Sequence, residues 1–392
     1  MQVKTNRSKT LSSSTACTKI NSGDQLPLIP SESSSLEAWC RLIRDRRWSR
    51  QQKKQLLDHY RNPQAILDAP VFEARALISG KQCSASSKVD EADIRADVKW
   101  LSEHDQNMVS MFDTHYPESL LHLPDPPIAL FLKGYSELLN EPQVSIVGSR
   151  SPTPVGKKVA ASLARDLSLA GITITSGMAL GIDGVAHTGA LDAQGSSIAV
   201  LGNGLDIVYP ARNRILFERL ANNGLLLTEY PLGVRPDRYT FPQRNRIVSG
   251  LAHGIIIVEA AERGGTLITA RLGLEQNKEV MVVPGSALSA QYRGSHQLIN
   301  QGASLVSEAS DVLMCLSQEL SSYRLKAKSD SVSDGEPRAS SEGVQNPLLE
   351  FISSESTSVD DIISSSQLTS AEVSSMLLEP VSYTHLTLPT KA

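Results

Sequence analysis

From Gln143 to Val306 the apolar residues fall into short, β-branched runs bounded by glycine, separated by stretches in which they recur every three or four positions. The first pattern is that of strands buried on both faces, and the second that of helices with one apolar stripe. Strands are expected at Val144 to Val147, Ile172 to Thr175, Ile198 to Leu201, Leu225 to Thr228, Ile255 to Glu259 and Val280 to Val283, with a last short one at Ser304 to Val306. Between the first two, Val155, Val159, Leu163 and Leu167 form one face of a helix that ends at Gly171, a C-cap residue. Strands alternating with helices build a mostly parallel sheet covered on both faces, so the expected class is α/β. Gly148, Gly177, Gly202 and Gly285 then punctuate the carboxyl ends of strands along one edge, where such sheets bind ligands.

The flanks have other periods. Residues 1–35 are rich in Ser, Thr and Pro and are expected to form a disordered arm. Over residues 36–97 the pattern turns helical through Trp39, Leu42 and Ile43, then Leu56, Leu57 and Tyr60, then Ile66, Leu67, Val71, Phe72 and Ala76, which predicts a small bundle. Its segment Arg41 to Lys54 is the most basic run in the chain. It reads first as a solvated helix face and second as a phosphate contact. The main domain is expected over 98–315. It opens with a lead-in in which Pro117, Pro124, Pro126 and Pro127 favour extended chain. A polar linker is expected over 316–346 and a small helical module over 347–392, whose last residues, VSYTHLTLPTKA, leave the helical pattern.

Composition narrows the function classes. The 392 residues carry a formal charge of −4 and a pI of about 6.1, so any site for a polyanion must be a local basic patch. Cys17, Cys40, Cys83 and Cys315 lie far apart and form no metal-binding pair, which points to a reducing cytoplasm and against structural zinc. The cationic N-terminus lacks an apolar run behind it, and nothing approaches the roughly 20 apolar residues of a membrane span, so a soluble cytoplasmic protein is expected.

The glycine turns invite a nucleotide site, and two fingerprints fail. After Gly148 the next glycine is Gly156, which breaks G-x-G-x-x-G, and no acid ends the second strand. Gly156-Lys157-Lys158 lacks the hydroxyl residue that would hold magnesium. What remains is a phosphate cradle: Gly148, Ser149 and Arg150 offer amides, a hydroxyl and a guanidinium fork, and the turn from Ser176 and Gly177 to Asp183 offers a second amide-rich loop. The stretch Arg235 to Arg246 interleaves Arg235, Arg238, Arg244 and Arg246 with Tyr239 and Phe241. Arginines for the backbone and rings for the bases suit a single strand, and Pro236 and Pro242 are expected to keep the segment in a loop. Asp183 and His187 share a helix face but have no nucleophile beside them, and they read as capping and packing residues. Glu259 and RGGTLITAR faintly resemble the catalytic loop of lysine-decarboxylase-like phosphoribohydrolases, but Thr269 stands where that family's glutamate would be.

Taken together, VGSR (147–150), SGMALGID (176–183), AVLGNGLDIVYPARN (199–213), TEYPLGVRPDRYTFPQRNRIVSGL (228–251), VEAAERGGTLITAR (258–271) and VPGS (283–286) closely resemble the bacterial DNA-processing protein A family. The resemblance implies an extended Rossmann-like central domain, a sterile-alpha-motif-like helical domain before it and a partial winged-helix-like module after it. It implies a homodimer that binds single-stranded DNA without sequence preference, protects it and loads the RecA recombinase on it during natural transformation. Carried over residue by residue, the DNA contacts are Gly148, Ser149, Arg150, Ser176, Gly177, Arg238 and Phe241. Charge adds Arg244 and Arg246. No catalysis, cofactor, metal or membrane is expected, and the alternative is a phosphoribohydrolase-like nucleotide-processing enzyme.

Overall fold

The computed structural model describes residues 33–79, 89–103 and 106–320. Residues 1–32 of the arm expected over 1–35, most of the linker and the whole C-terminal module lie outside the described residues, and the last three residues of that expected arm, 33–35, open the first helix. Five helices come first: α1 (Ser33–Arg44), α2 (Arg50–Tyr60), α3 (Pro63–Asp68), α4 (Val71–Ala76) and α5 (Glu91–Leu101). Three of their starts have a local cause. Ser49 caps α2 and forms a capping box with Gln52, Asn62 caps α3 ahead of Pro63, and Asp90 caps α5. The expected boundary after residue 97 falls inside α5, and the bundle and the sheet share one core cluster that runs from Trp39 and Leu56 to Phe131 and Ile247.

The sheet has nine strands. In chain order with their helices they are β1 (Gln106–Ser110), α6 (Glu118–Leu121), β2 (Ala129–Gly134), β3 (Gln143–Gly148), α7 (Pro154–Leu169), β4 (Thr173–Ser176), α8 (Ile182–Asp192), β5 (Ser197–Val200), α9 (Arg214–Asn223), β6 (Leu225–Thr228), α10 (Thr240–Leu251), β7 (Gly254–Val258), α11 (Gly265–Glu275), β8 (Glu279–Val282), α12 (Arg293–Asn300), β9 (Ser304–Leu305) and α13 (Ala309–Cys315). The spatial order is β1-β2-β6-β5-β4-β3-β7-β8-β9. From β6 to β9 every pairing is parallel, while β1 and β2 are antiparallel additions at one edge. The fold is therefore the α/β class read from the sequence, and β1 and β2 stand where only an extended lead-in was expected.

Strand alternation hidden in the all-apolar runs sorts the core into two layers. Val144 and Ile146 of β3, Ile256 and Val258 of β7 and Met281 of β8 pack with Leu163 and Leu167 of α7 and Ile182 of α8. The alternate positions, Ile255, Ile257, Val280 and Val282, pack with Ile247, Val248 and Leu251 of α10. Strand order reverses at β3: α7, α8 and α9 carry the chain away from it in one direction, and α10 brings the chain back across to β7. The switch point, where open α/β sheets leave a crevice, therefore lies between the carboxyl ends of β3 and β7, and the loops after β4 and β5 follow along the same edge.

Three arginines of the bundle's basic run are tied up in ion pairs within the protein. Arg41 pairs with Glu37 and Glu91, and Arg44 pairs with Asp93 and, at 2.5 Å, with the buried Asp97. Arg44 also donates to the Leu232 carbonyl oxygen at 2.9 Å, and Arg50 reaches Asp125 and Glu229 at 3.1 Å each. These arginines join the helical bundle to the loops around β6.

Candidate functional site

The loops after β3, β4 and β5 meet the first turn of α10 around a pocket with about 490 Å³ of open space. Arg150 follows β3, Gly177 to Leu180 follow β4, and Leu201 to Asn203 follow β5; Tyr209, Pro210, Phe241 and Arg244 complete the lining, which contains no carboxylate. Arg150 is exposed, and its guanidinium carbon sits 5.9 Å from the centroid of the Phe241 ring. Phe241 in turn stacks on Tyr209, with ring centroids 5.5 Å apart and planes 30° apart. Gly202 leaves room for that ring, since a Cβ there would stand 3.1 Å from Phe241 Cδ1. A cation and a stacked aromatic pair on one wall suit an anionic ligand with a flat, apolar part.

Arg244 forms the pocket's base. It is buried, and it donates to the carbonyl oxygens of Gly177 and Val200, tying the ends of β4 and β5 to α10. Burial pulls its pKa down to about 10, which still leaves a cation at neutral pH. A Cβ on Gly177 would fall on this guanidinium, so glycine is needed there for close approach. The segment of α10 that holds Phe241 and Arg244 is a helix, which corrects the expected loop. Pro242 is the third helical residue, inside the first turn, where a missing N–H breaks no intrahelical bond.

Several of the donors and hydroxyls expected to cradle a phosphate at the two turns are engaged within the protein. The Ser149 N–H donates to the Val258 carbonyl oxygen at 3.3 Å, and Ser149 Oγ accepts from the Ser151 N–H at 3.1 Å. Ser176 is buried, and its hydroxyl donates to the Ile146 carbonyl oxygen at 2.6 Å. The turn after β4 wraps around Asp183, whose buried carboxylate accepts from the Ala179 N–H at 3.3 Å and from the Gly177 N–H. Burial pushes the Asp183 carboxyl up, and Arg244 and those amides oppose the shift. Gly148 serves close packing, since a Cβ there would strike the Val258 carbonyl and Ile182. Gly181 takes φ +88° at the start of α8, and a Cβ there would meet the Ser149 carbonyl.

Of the residues singled out from sequence, the structure thus brings Arg150, Gly177, Phe241 and Arg244 together. It sets Gly148, Ser149 and Ser176 just behind them as framework. Arg238 precedes α10, exposed and stacked at 4.7 Å on its neighbour Tyr239, outside the pocket lining. Arg246 points away from the pocket: it is buried and pairs with Glu229 at 2.6 Å and Asp125 at 3.5 Å. The charge argument that added it to the DNA contacts is corrected by those acids, which neutralise it inside the protein. Tyr209 lines the pocket without having been singled out from the sequence, while Asp183 accepts amides of the turn, as its capping reading expects. Tyr209 stands in the AVLGNGLDIVYPARN stretch, a ring after a glycine-rich turn, and was open to notice there.

The hydrolase-like features lie elsewhere. Glu259 is buried and accepts from the Thr153 hydroxyl, from the Thr153 N–H at 2.9 Å and from Tyr292 Oη at 2.8 Å, at the start of α7. His187 is buried, its Nδ1 2.7 Å from Ser197 Oγ, and burial lowers its pKa to about 3. Among the described residues no group of three or more His, Cys, Asp or Glu could hold a metal ion, and no helix is long and apolar enough to cross a membrane.

A family model described as DNA recombination-mediator protein A matches residues 107–317, which contain all of the sheet but its first residue and every residue of this pocket. The chain belongs to the DNA recombination-mediator protein A family. A second model, the DprA winged helix domain, matches residues 333–379, outside the described residues. Among curated members, the chain is 41% identical over 256 residues to protein Smf of Escherichia coli, covering 65% of this chain and 68% of that one. It is 42% identical over 204 residues to the DNA processing protein DprA of Streptococcus pneumoniae, covering 52% and 72%. The X-ray structure of the pneumococcal protein superposes with a TM-score of 0.63 at 32% identity over 71% of this chain and 97% of that one. A structure of the Helicobacter pylori DNA processing protein A, solved for its single-stranded DNA binding mode, superposes with a TM-score of 0.50 at 31% identity, over 55% and 98%. Membership accounts for the fold and for the class of ligand to be tested at the pocket.

Proposed function

We propose that this chain binds single-stranded DNA, without sequence preference, at the pocket between Arg150 and Phe241. The observation that carries the reading is the exposed Arg150 guanidinium over the stacked Phe241 and Tyr209 rings. A phosphate takes the guanidinium fork, and a base slides onto the ring pair. Arg244 holds the loops around that wall, and its buried charge adds to the positive field without touching the strand. No bond is made or broken. As a recombination mediator the protein shelters the strand and passes it to RecA during transformation, as a homodimer whose two sites share one strand and gain avidity from it.

Support comes from the family, from the single-stranded DNA binding of the Helicobacter relative and from the all-neutral or cationic pocket lining, which offers a phosphoribohydrolase no carboxylic acid. The test is Arg150→Ala. Arg150 makes no ion pair among the described residues, so the variant should melt with the wild type. It should lose about ten- to a hundredfold in affinity for oligo(dT), the worth of a charged hydrogen bond to phosphate. Equal affinity in the two proteins would remove the site from Arg150. Turnover of a nucleoside monophosphate would favour the enzyme instead.

A further inference from the structure

We infer that the strand does not end at the pocket and that a second, larger groove carries its flanking nucleotides down the outer face of α8. This inference rests on the reading above. Arg150 lines two cavities at once: the pocket already described and a wider, more open cleft beside it. The cleft's floor is a stripe of α8 and the residue before it, Gly181, Gly184, Val185, Thr188, Gly189 and Asp192. Counted from Gly181 these lie three, four, seven, eight and eleven positions along, on one helix face. Three of the six are glycines, so the floor is low. Lys157 and Ala161 of α7 form one wall, and Arg212 with Ile215 and Arg219 at the start of α9 form the other.

The charge of those walls matches a polyanion. Lys157 and Arg212 are exposed, face the cleft from opposite sides, and form no ion pair among the described residues. Arg219 is held by Asp192 at 2.7 Å, so the acid at the floor's far end is already neutralised. A third cleft continues from there, sharing Ala161, Gly189 and Asp192 with the second and adding Lys158 and Arg165. Lys157 and Lys158, which fail as part of a nucleotide-hydrolysing loop, both find a place along this path.

The occupant is the same single strand. The groove is continuous with the pocket through Arg150, its cations are spaced on both walls, and it offers exposed Ile215 but no acid without a partner. Eleven residues of α8 extend about 16 Å, room for at most four or five phosphates at the per-strand spacing of nucleic acid. A protein segment docked here would need acidic side chains and would compete with the strand.

The test is the double variant Lys157→Ala/Arg212→Ala, titrated with oligo(dT) of about 4 and about 20 nucleotides, lengths that fill the pocket alone and the pocket plus groove. Both side chains are exposed, so a melting curve matching the wild type is the control. The short strand should bind both proteins alike. The long strand should bind the variant about tenfold less tightly, with a salt slope shallower by about 1.4, the equivalent of two phosphates. Unchanged affinity and slope for the long strand would overturn the groove while leaving the pocket intact. Equal losses on both lengths would overturn it too, because the two cations would then belong to the pocket. A wild-type protein that binds neither length would fail the pocket reading itself.

Discussion

Arg246→Met separates a groove cation from a structural one. Arg246 is only 10% exposed at its side chain and its partner Glu229 only 5%, with 2.6 Å between their charged atoms. Removing one member of a buried ion pair costs about 3–5 kcal/mol, because the remaining charge stays out of water. Here Arg50 remains 3.1 Å from both Glu229 and Asp125 and takes up part of that charge. The cost should therefore fall at or just below the lower end of that range, about 2–3 kcal/mol, with methionine refilling the volume of the arginine stem. For a folded unit of this size that lowers the melting midpoint by about 5–10 °C. Adding Glu229→Gln should return part of the loss, since the amide no longer needs a cation. The assay is thermal melting of wild type, both single variants and the double, followed by oligo(dT) titration well below the variant's midpoint, where its affinity should match the wild type. A variant that melts with the wild type but loses strand affinity and about 0.7 of the salt slope would refute the reasoning and return Arg246 to the DNA contacts.

Two further outcomes follow from buried groups. His187 has a folded pKa of about 3 against 6.5 in the open chain, so the unfolded state takes up the proton first: stability is full above pH 6.5 and is lost as pH falls toward 3. The loss amounts to about 2 kcal/mol by pH 5, and denaturant melts of His187→Leu should fall less between pH 7 and pH 5 than those of the wild type; equal slopes would show that His187 is not the source. Gly177→Ala places a methyl group on the Arg244 guanidinium. It should destabilise by about 1–3 kcal/mol and weaken oligo(dT) binding as the pocket wall shifts, and an unperturbed melt would show that Arg244 has room to move.

How much of this was legible depends on the range of the signal. The strands β3 to β8 fall within a residue or two of their expected positions, because each is a short run of apolar or β-branched residues that is buried on both faces. β1 and β2 escaped notice because the prolines at 117 and 124–127 dominate that region, although they lie in the connection between the two strands and leave the strands themselves intact. The start of α10 was hidden by Pro242, whose effect on a helix depends on whether it falls in the first turn. The roles of the arginines lay beyond any local pattern. Arg44 finds Asp97 53 residues away, and Arg50 finds Glu229 179 residues away. Likewise, a capping role for Asp183 can be read from SGMALGID, but not that the amides it takes are those of Gly177 and Ala179. The motifs located the pocket, and only the packing showed which of their side chains face it.

The central claim, that the ring pair and Arg150 hold a single strand by its bases as well as its phosphates, is tested most directly by a salt titration of the wild-type protein with matched single-stranded and duplex DNA. Phosphate contacts weaken with salt in both ligands, whereas stacking on Phe241 and Tyr209 is open only to unpaired bases and adds about 1–3 kcal/mol per base. The account predicts tighter binding of the single strand at every salt concentration, with the preference surviving where overall affinity has fallen. Duplex binding as tight as that of the single strand, or a preference that disappears as salt rises, would contradict it.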